Sequence, residues 1–217
     1  MADQLLDKPT LINLALNGIG SYAVYSTDAS DELAEKCNAA WRLCLGRCFG
    51  LHDWSDFRRT SKLGLRAGTP DNGWLYRFDL SGDRLGPPLK LTRDAACRQP
   101  LRDFTLEDGS VFANVPEVWA REKVYKDPEY WIPPFVSAFC KALEGYLAVP
   151  VSHDTDLQAE CFREAFGTPS QGGTGGMFGR LVAQDRAGEP MGTTMTDAEP
   201  LGAAHAAGAA YPWYGRN

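Results

Sequence analysis

Cysteines, histidines and one glycine run are the residues of this 217-residue chain whose types and spacing could do chemistry. Cys37, Cys44 and Cys48 stand at i, i+7 and i+11, which on a helix is one face. A row of thiolates suggests a metal, yet structural zinc sites use close Cys pairs on turns, with a second pair elsewhere. These thiols share their stripe with Leu33, Trp41 and Leu45, and a reduced Cys in that company packs as a small hydrophobe. Gly172-Gly173-Thr174-Gly175-Gly176 could cradle a phosphate. It lacks the Gly-Lys-Ser/Thr ending of a P-loop and the spacing of a dinucleotide fingerprint, and it follows a helix and a proline rather than a strand. A flexible hinge is the expected role.

The histidines number three. His52 sits at a helix end, His153 beside a helix cap and His205 among alanines. No Gly-x-Ser-x-Gly elbow and no His-Glu-x-x-His is present. Carboxylate pairs such as Glu107 with Asp108 read as solvated turns. No catalytic, metal-binding or cofactor-binding residue is expected. The binding signal lies near the C-terminus, where Tyr211, Pro212, Trp213 and Tyr214 end a segment of Gly, Ala, Pro and Thr. Tyr and Trp are the residue types that anchor binding hot spots. Exposed without a use, they invite aggregation.

These residues need elements to hold them. Hydrophobic residues make up 44% and charged residues 23%, an ordinary globular composition that excludes a wholly disordered or fibrous chain. The net charge of −6 argues against a general binder of nucleic acid or anionic membrane, since both require a basic face. No window supplies the apolar run of a membrane span. Met1-Ala2-Asp3-Gln4 does not open a signal peptide, so synthesis in a cytoplasm and reduced cysteines are expected.

Apolar spacing predicts a helix from about Lys8 to Asn17, capped by Asp7, and a long one from Asp31 to Phe49, capped by Ser30 or Asp31. From Trp54 to Val124 the period shortens. Trp54–Phe57, Trp74–Phe78 and Leu89–Leu91 are short aromatic or apolar runs, and Phe104–Phe112 reads as a hairpin turning at Asp108-Gly109. Val118–Tyr125 continues as a strand. Helical spacing returns at Pro133 and is expected to stop at Pro150, and a fourth helix runs from about Asp156 to Phe166 behind Asp154 or Thr155. Met177–Gln184 suits one short helix. The expectation is a mainly α fold: a bundle of about four helices over residues 1–186 with a small antiparallel β section at about 54–125. Residues 187–217 are read as an extended C-terminal tail, free until something binds it.

The order of these parts resembles the tail tubular protein A and head-to-tail adaptor family of tailed bacteriophages. The resemblance runs from about Leu11 to Phe166 and rests on four stretches. They are Ile12–Gly20, the helix from Ala34 to Leu45, Trp54-Ser55-Asp56-Phe57, and Tyr125-Lys126-Asp127-Pro128 with Trp131-Ile132-Pro133-Pro134-Phe135-Val136-Ser137-Ala138. Tyr76-Arg77-Phe78-Asp79 followed by Arg84-Leu85 is similar too, with the family's Leu-Arg pair reversed. Gly172–Gly176 departs from the uninterrupted last helix of the family, and nothing beyond Gly188 matches it. The resemblance implies a structural adaptor in the virion neck, made in the host cytoplasm. It implies a dodecameric ring that joins the portal protein to a stopper, tail terminator or tail nozzle protein, with genomic DNA passing through its lumen. Tyr211, Pro212, Trp213 and Tyr214 would then be the portal anchor. Two other readings stand beside it: a virion-associated cell-wall hydrolase, needing a carboxylate acid and base in a cleft that the sequence does not identify, and a cytoplasmic binding module outside any virion.

Overall fold

Three aspartates start three of the helices. Asp7, Asp31 and Asp154 each accept a hydrogen bond from backbone N–H groups two or three residues on, and open α1 (Lys8–Gly18), α2 (Glu32–Gly50) and α4 (Thr155–Phe166). Each such cap contributes about 1 kcal/mol. α3 (Pro133–Ser152) starts instead on a Pro-Pro pair, where the missing N–H is no loss. α5 spans Gly176–Gly188. In this computed structural model, residues 6–22, 24–27, 31–171 and 175–188 are described.

The buried faces follow the predicted stripes. α1 buries Leu11, Ile12, Ala15 and Leu16; α2 buries Cys37, Ala40, Trp41, Cys44 and Cys48; α3 buries Phe135, Ala138, Phe139, Ala142, Leu143 and Leu147. With Ala165 and Phe166 of α4 and Phe178, Leu181 and Val182 of α5 they form one core. Its centre is aromatic. Trp131 and Phe139 lie 4.7 Å apart, Phe57 and Phe135 5.0 Å, and Trp54 and Phe135 5.4 Å, mostly edge to face, the geometry favoured by ring quadrupoles.

Between α2 and α3 the chain builds seven strands. β1 (Arg58–Lys62), β7 (Trp119–Lys123) and β4 (Lys90–Thr92) form one antiparallel sheet in the order β1-β7-β4. β2 (Gly64–Arg66), β3 (Tyr76–Asp79), β6 (Ser110–Ala113) and β5 (Phe104–Glu107) form a second, in the order β2-β3-β6-β5. β1 and β2 are separated only by Leu63, so one stretch of chain passes from the first sheet into the second. Register sets Leu65, Phe78, Val111 and Leu106 in a row across the second sheet, and Ser61, Ala120 and Leu91 across the first. Phe78 and Val111 meet Leu91 and Ala120, with Leu63, Leu101, Ala113 and Val118, in a core of their own.

The expected mainly α bundle of about four helices is therefore corrected. The described residues hold five helices and seven strands in two antiparallel sheets, an α/β mix in which the β part has its own hydrophobic core. The runs at 74–78, 89–91, 104–112 and 118–125 correspond to β3–β7, whereas β1 and β2 are not foreseen because they are short and carry no apolar alternation. β1 is Arg-Arg-Thr-Ser-Lys, without one apolar side chain, and is a strand because its full length pairs with β7. Trp54–Phe57, expected among the strands, supplies a 3₁₀ turn at Ser55–Phe57, with Trp54 donating from Nε1 to the Cys48 carbonyl at 3.0 Å. α3 also runs past Pro150 to Ser152 and is ended by His153 in the left-handed conformation, φ 55°. The hairpin at Asp108-Gly109 forms as read, with Glu107 opposite Ser110.

A buried lysine joins the β part to the helical core. Lys123 on β7 donates from Nζ to the carbonyls of Phe49 and His52 at 2.8 and 3.0 Å and pairs with Asp53 at 3.1 Å. It thus places a cation on the C-terminal end of α2, where the helix dipole favours it. The chain divides into two compact units, Met1–Val182 and Ala183–Asn217. Both hydrophobic cores and both sheets belong to the first; in the second, the described residues 183–188 are helical. No helix among the described residues is long and apolar enough to cross a membrane.

Candidate functional site

Strand pleating sends alternate side chains to opposite faces, so the residues flanking Phe78 and Val111 point away from the β core. Arg77 and Asp79 on β3, Ser110 and Phe112 on β6 and Arg66 on β2 occupy that outer face. They interlock. Arg77 donates from Nε to Ser110 Oγ at 3.0 Å, pairs with Asp108 at 3.6 Å and lies over the Phe112 ring at 5.5 Å; Arg66 pairs with Asp79 at 3.7 Å. The loop between β2 and β3 walls this face, and Asn72 reaches across to donate to Glu107 at 3.1 Å. The result is a cleft of about 380 Å³ with Arg66 and Arg77 set against Asp71, Glu107 and Asp108.

On the other side of the Asp108-Gly109 turn lies a second cleft, of about 470 Å³, lined by Leu80, Arg84, Pro87, Pro88 and Leu106. Both volumes are of the size that ligand and peptide side chains occupy. The hairpin tip stands between the two, since Glu107 and Asp108 line each. β5, which leads into the tip, is an edge strand and leaves one side of its backbone unpaired in the sheet. An edge strand flanked by clefts that hold both charges suits strand addition or the gripping of a loop from another chain. Its ion pairs are long and reach solvent, so they can exchange partners at little cost.

Of the residues singled out in the sequence, Tyr211, Pro212, Trp213 and Tyr214 lie outside the described residues, as do His205, Ser30 and Gly172–Thr174. His52 packs edge-on to Trp54 at 5.1 Å, whereas His153 ends α3, so neither belongs to the clefts. Glu107 and Asp108 are part of the site, as acceptors for Asn72 and Arg77. All six cysteines are free thiols. Cys44 and Cys48 approach to 3.8 Å between sulfurs, inside the helical core. Burial pushes the Cys37 thiol up to about 11 and the Cys140 thiol up to about 11, and Cys44 is raised well above its ordinary range for the same reason. Such thiols stay protonated near neutrality, as packing groups do. Among the described residues, no group of three or more His, Cys, Asp or Glu side chains is placed to hold a metal ion.

No site role for Arg66, Arg77 and Phe112 is evident in the sequence. The available signal was the alternation Tyr76-Arg77-Phe78-Asp79, which on a strand separates an inward Phe from an outward Arg and Asp. No protein-family model matches the chain, and no curated protein is significantly similar to it.

Proposed function

We propose that this chain is a structural head-to-tail connector of a tailed-phage particle, a ring-forming adaptor that binds the portal on one side and the next tail component on the other. The observation that carries the reading is where the resembling stretches pack. Trp41 from the long helix, Trp54 from the Trp-Ser-Asp-Phe run, and Trp131 and Phe135 from the Trp-Ile-Pro-Pro-Phe run meet in one aromatic cluster. Trp41 stacks on Trp131 at 6.1 Å, Trp54 meets Phe135 at 5.4 Å, and Trp131 meets Phe135 at 5.3 Å. Three of the four family-like stretches thus meet in one aromatic cluster, which supports the reading. A hairpin flanked by two clefts supplies a contact surface for the tail side. Tyr211, Pro212, Trp213 and Tyr214 supply the portal anchor. The net charge of −6 suits a channel through which DNA slides without sticking.

The test is a binding measurement on purified portal rings with the full-length chain. The expected outcome is binding that the triple substitution Tyr211→Ala, Trp213→Ala, Tyr214→Ala weakens by at least tenfold, as the loss of aromatic anchors does. Absence of any portal binding, together with absence of the chain from the neck in a reconstruction of the particle, refutes the connector. Binding that ignores the triple substitution refutes the anchor and leaves the connector standing.

A further inference from the structure

Two surfaces outside the hairpin site have opposite charge and matching apolar character. The first is a groove of about 370 Å³ between α2 and α4, floored by Phe162 and Phe166 and closed at one end by Pro169. Arg47 lies 3.8 Å over the Phe166 ring and 5.2 Å from that of Phe162, and Arg163 stands beside it. Neither guanidinium has a carboxylate within ion-pair distance among the described residues. In a chain of net charge −6 this is a local excess of positive charge over an aromatic floor. Leu43, one helical turn before Arg47 on the same face of α2, is 62% exposed and extends the apolar strip.

The second surface is the 3₁₀ turn Pro128–Tyr130 at the entrance to α3. Tyr130 is 66% exposed and Ile132 40%, and the exposed carboxylates of Asp127 and Glu129 flank them. The turn is held from below. Pro128 and Trp131 are buried, and Trp131 donates from Nε1 to the Lys126 carbonyl at 2.8 Å. A protruding Tyr on a braced turn loses little freedom on docking, which is where affinity comes from at small contacts.

We propose that the Glu129-Tyr130 turn of one copy docks in the Arg47/Arg163 groove of a second copy of this chain. Tyr130 enters over Phe162, and Glu129 and Asp127 face the two guanidiniums. Arg47, already stacked on Phe166, keeps its edge N–H groups for a carboxylate, the bidentate geometry that favours Arg over Lys. With copies set side by side as the connector reading has them, each gives its turn to one neighbour and its groove to the other, a heterologous contact that produces closed rings or open filaments. The contact deepens the connector reading by naming the subunit interface, and it rests on that reading for copies set side by side.

The test places the photo-crosslinking residue p-benzoylphenylalanine at position 130 of the full-length chain. The irradiated sample is an equal mixture of light and heavy nitrogen-labelled protein, taken both free at high concentration and bound to portal rings. The expected product is a mixed-isotope crosslink from position 130 to the Phe162–Pro169 segment. Arg163→Glu lowers its yield by about tenfold or more, because like charges then face each other, and adding Glu129→Arg restores it. Crosslinks that map elsewhere, that form only within one copy, or that ignore the charge reversal overturn the contact. If the chain binds portal rings but gives no mixed crosslink, the contact alone falls. If it neither crosslinks nor binds the rings, the connector reading falls with it.

Discussion

Glu122 is a fully buried carboxylate on β7, and neither of its oxygens has a hydrogen-bond donor. It stands opposite Arg59 in the register, but the Arg59 guanidinium is engaged elsewhere, by Asp83 at 2.6 and 2.8 Å and by Ser81 at 2.9 Å. That engagement lowers the Asp83 carboxyl and raises Arg59, with a smaller contribution to Arg59 from the charge of Glu122. A carboxylate taken out of water without donors costs several kcal/mol, and an apolar residue of similar volume in its place is commonly neutral or stabilising. Glu122→Met is therefore expected to raise the urea midpoint, by the equivalent of about 1–4 kcal/mol. A lower midpoint means that the carboxylate has a structural role that its surroundings do not show. Lys123, the next residue, gives the contrasting case. It is buried too but has three acceptors, and Lys123→Met takes the donor from the Phe49 and His52 carbonyls at the end of α2 and leaves the exposed Asp53 to water.

At the scale of elements, α3 and α4 pack closely because Gly145 has no side chain. A Cβ there would sit 2.6 Å from the Phe162 ring and 3.3 Å from Cys161. In an exposed helix Gly→Ala gains roughly 1 kcal/mol from propensity. Here overpacking reverses the sign, and Gly145→Ala is expected to lower the thermal midpoint with a net cost of about 1–3 kcal/mol. A rise in the midpoint would mean that the α3–α4 crossing yields more readily than its geometry implies. Such contacts are invisible in a sequence, since Gly145 reads there only as a weak helix residue. The elements themselves were legible in proportion to their length. α2 and α3 repeat their apolar spacing over several turns, and Asp31 and the Pro133-Pro134 pair announce their starts, so both begin in the expected place. β1 and β2 carry no such pattern: Arg58–Lys62 is entirely polar, and Gly64–Arg66 is exposed throughout. Their conformation is imposed by partners distant in sequence, β7 and β3, which no local window contains. Pro150 misled for a related reason. Proline removes one hydrogen bond, but two further residues of helix are held by the turn at His153, whose N–H returns to Val149 and Ala148.

At the scale of the whole molecule, connector and subunit contact make a joint claim about affinity. In the proposed connector a single Tyr-Pro-Trp-Tyr contact is small, so one copy alone holds the portal weakly. A ring of copies shares the attachment. Once one copy is seated, its neighbours bind at high effective concentration, and the apparent affinity rises by about 10²–10⁴ without any new portal contact. Arg163→Glu, which leaves Tyr211, Trp213 and Tyr214 untouched, is therefore expected to reduce apparent portal affinity by a factor in that range. Addition of Glu129→Arg should recover it. The measurement is a titration of immobilised portal rings, compared with a single portal-derived cleft peptide as monovalent reference. The monovalent affinity should be the same for wild type and variant, since the anchor is unchanged. Equal losses on ring and peptide would place Arg163 in the portal contact itself, and no loss on either would separate portal binding from subunit association.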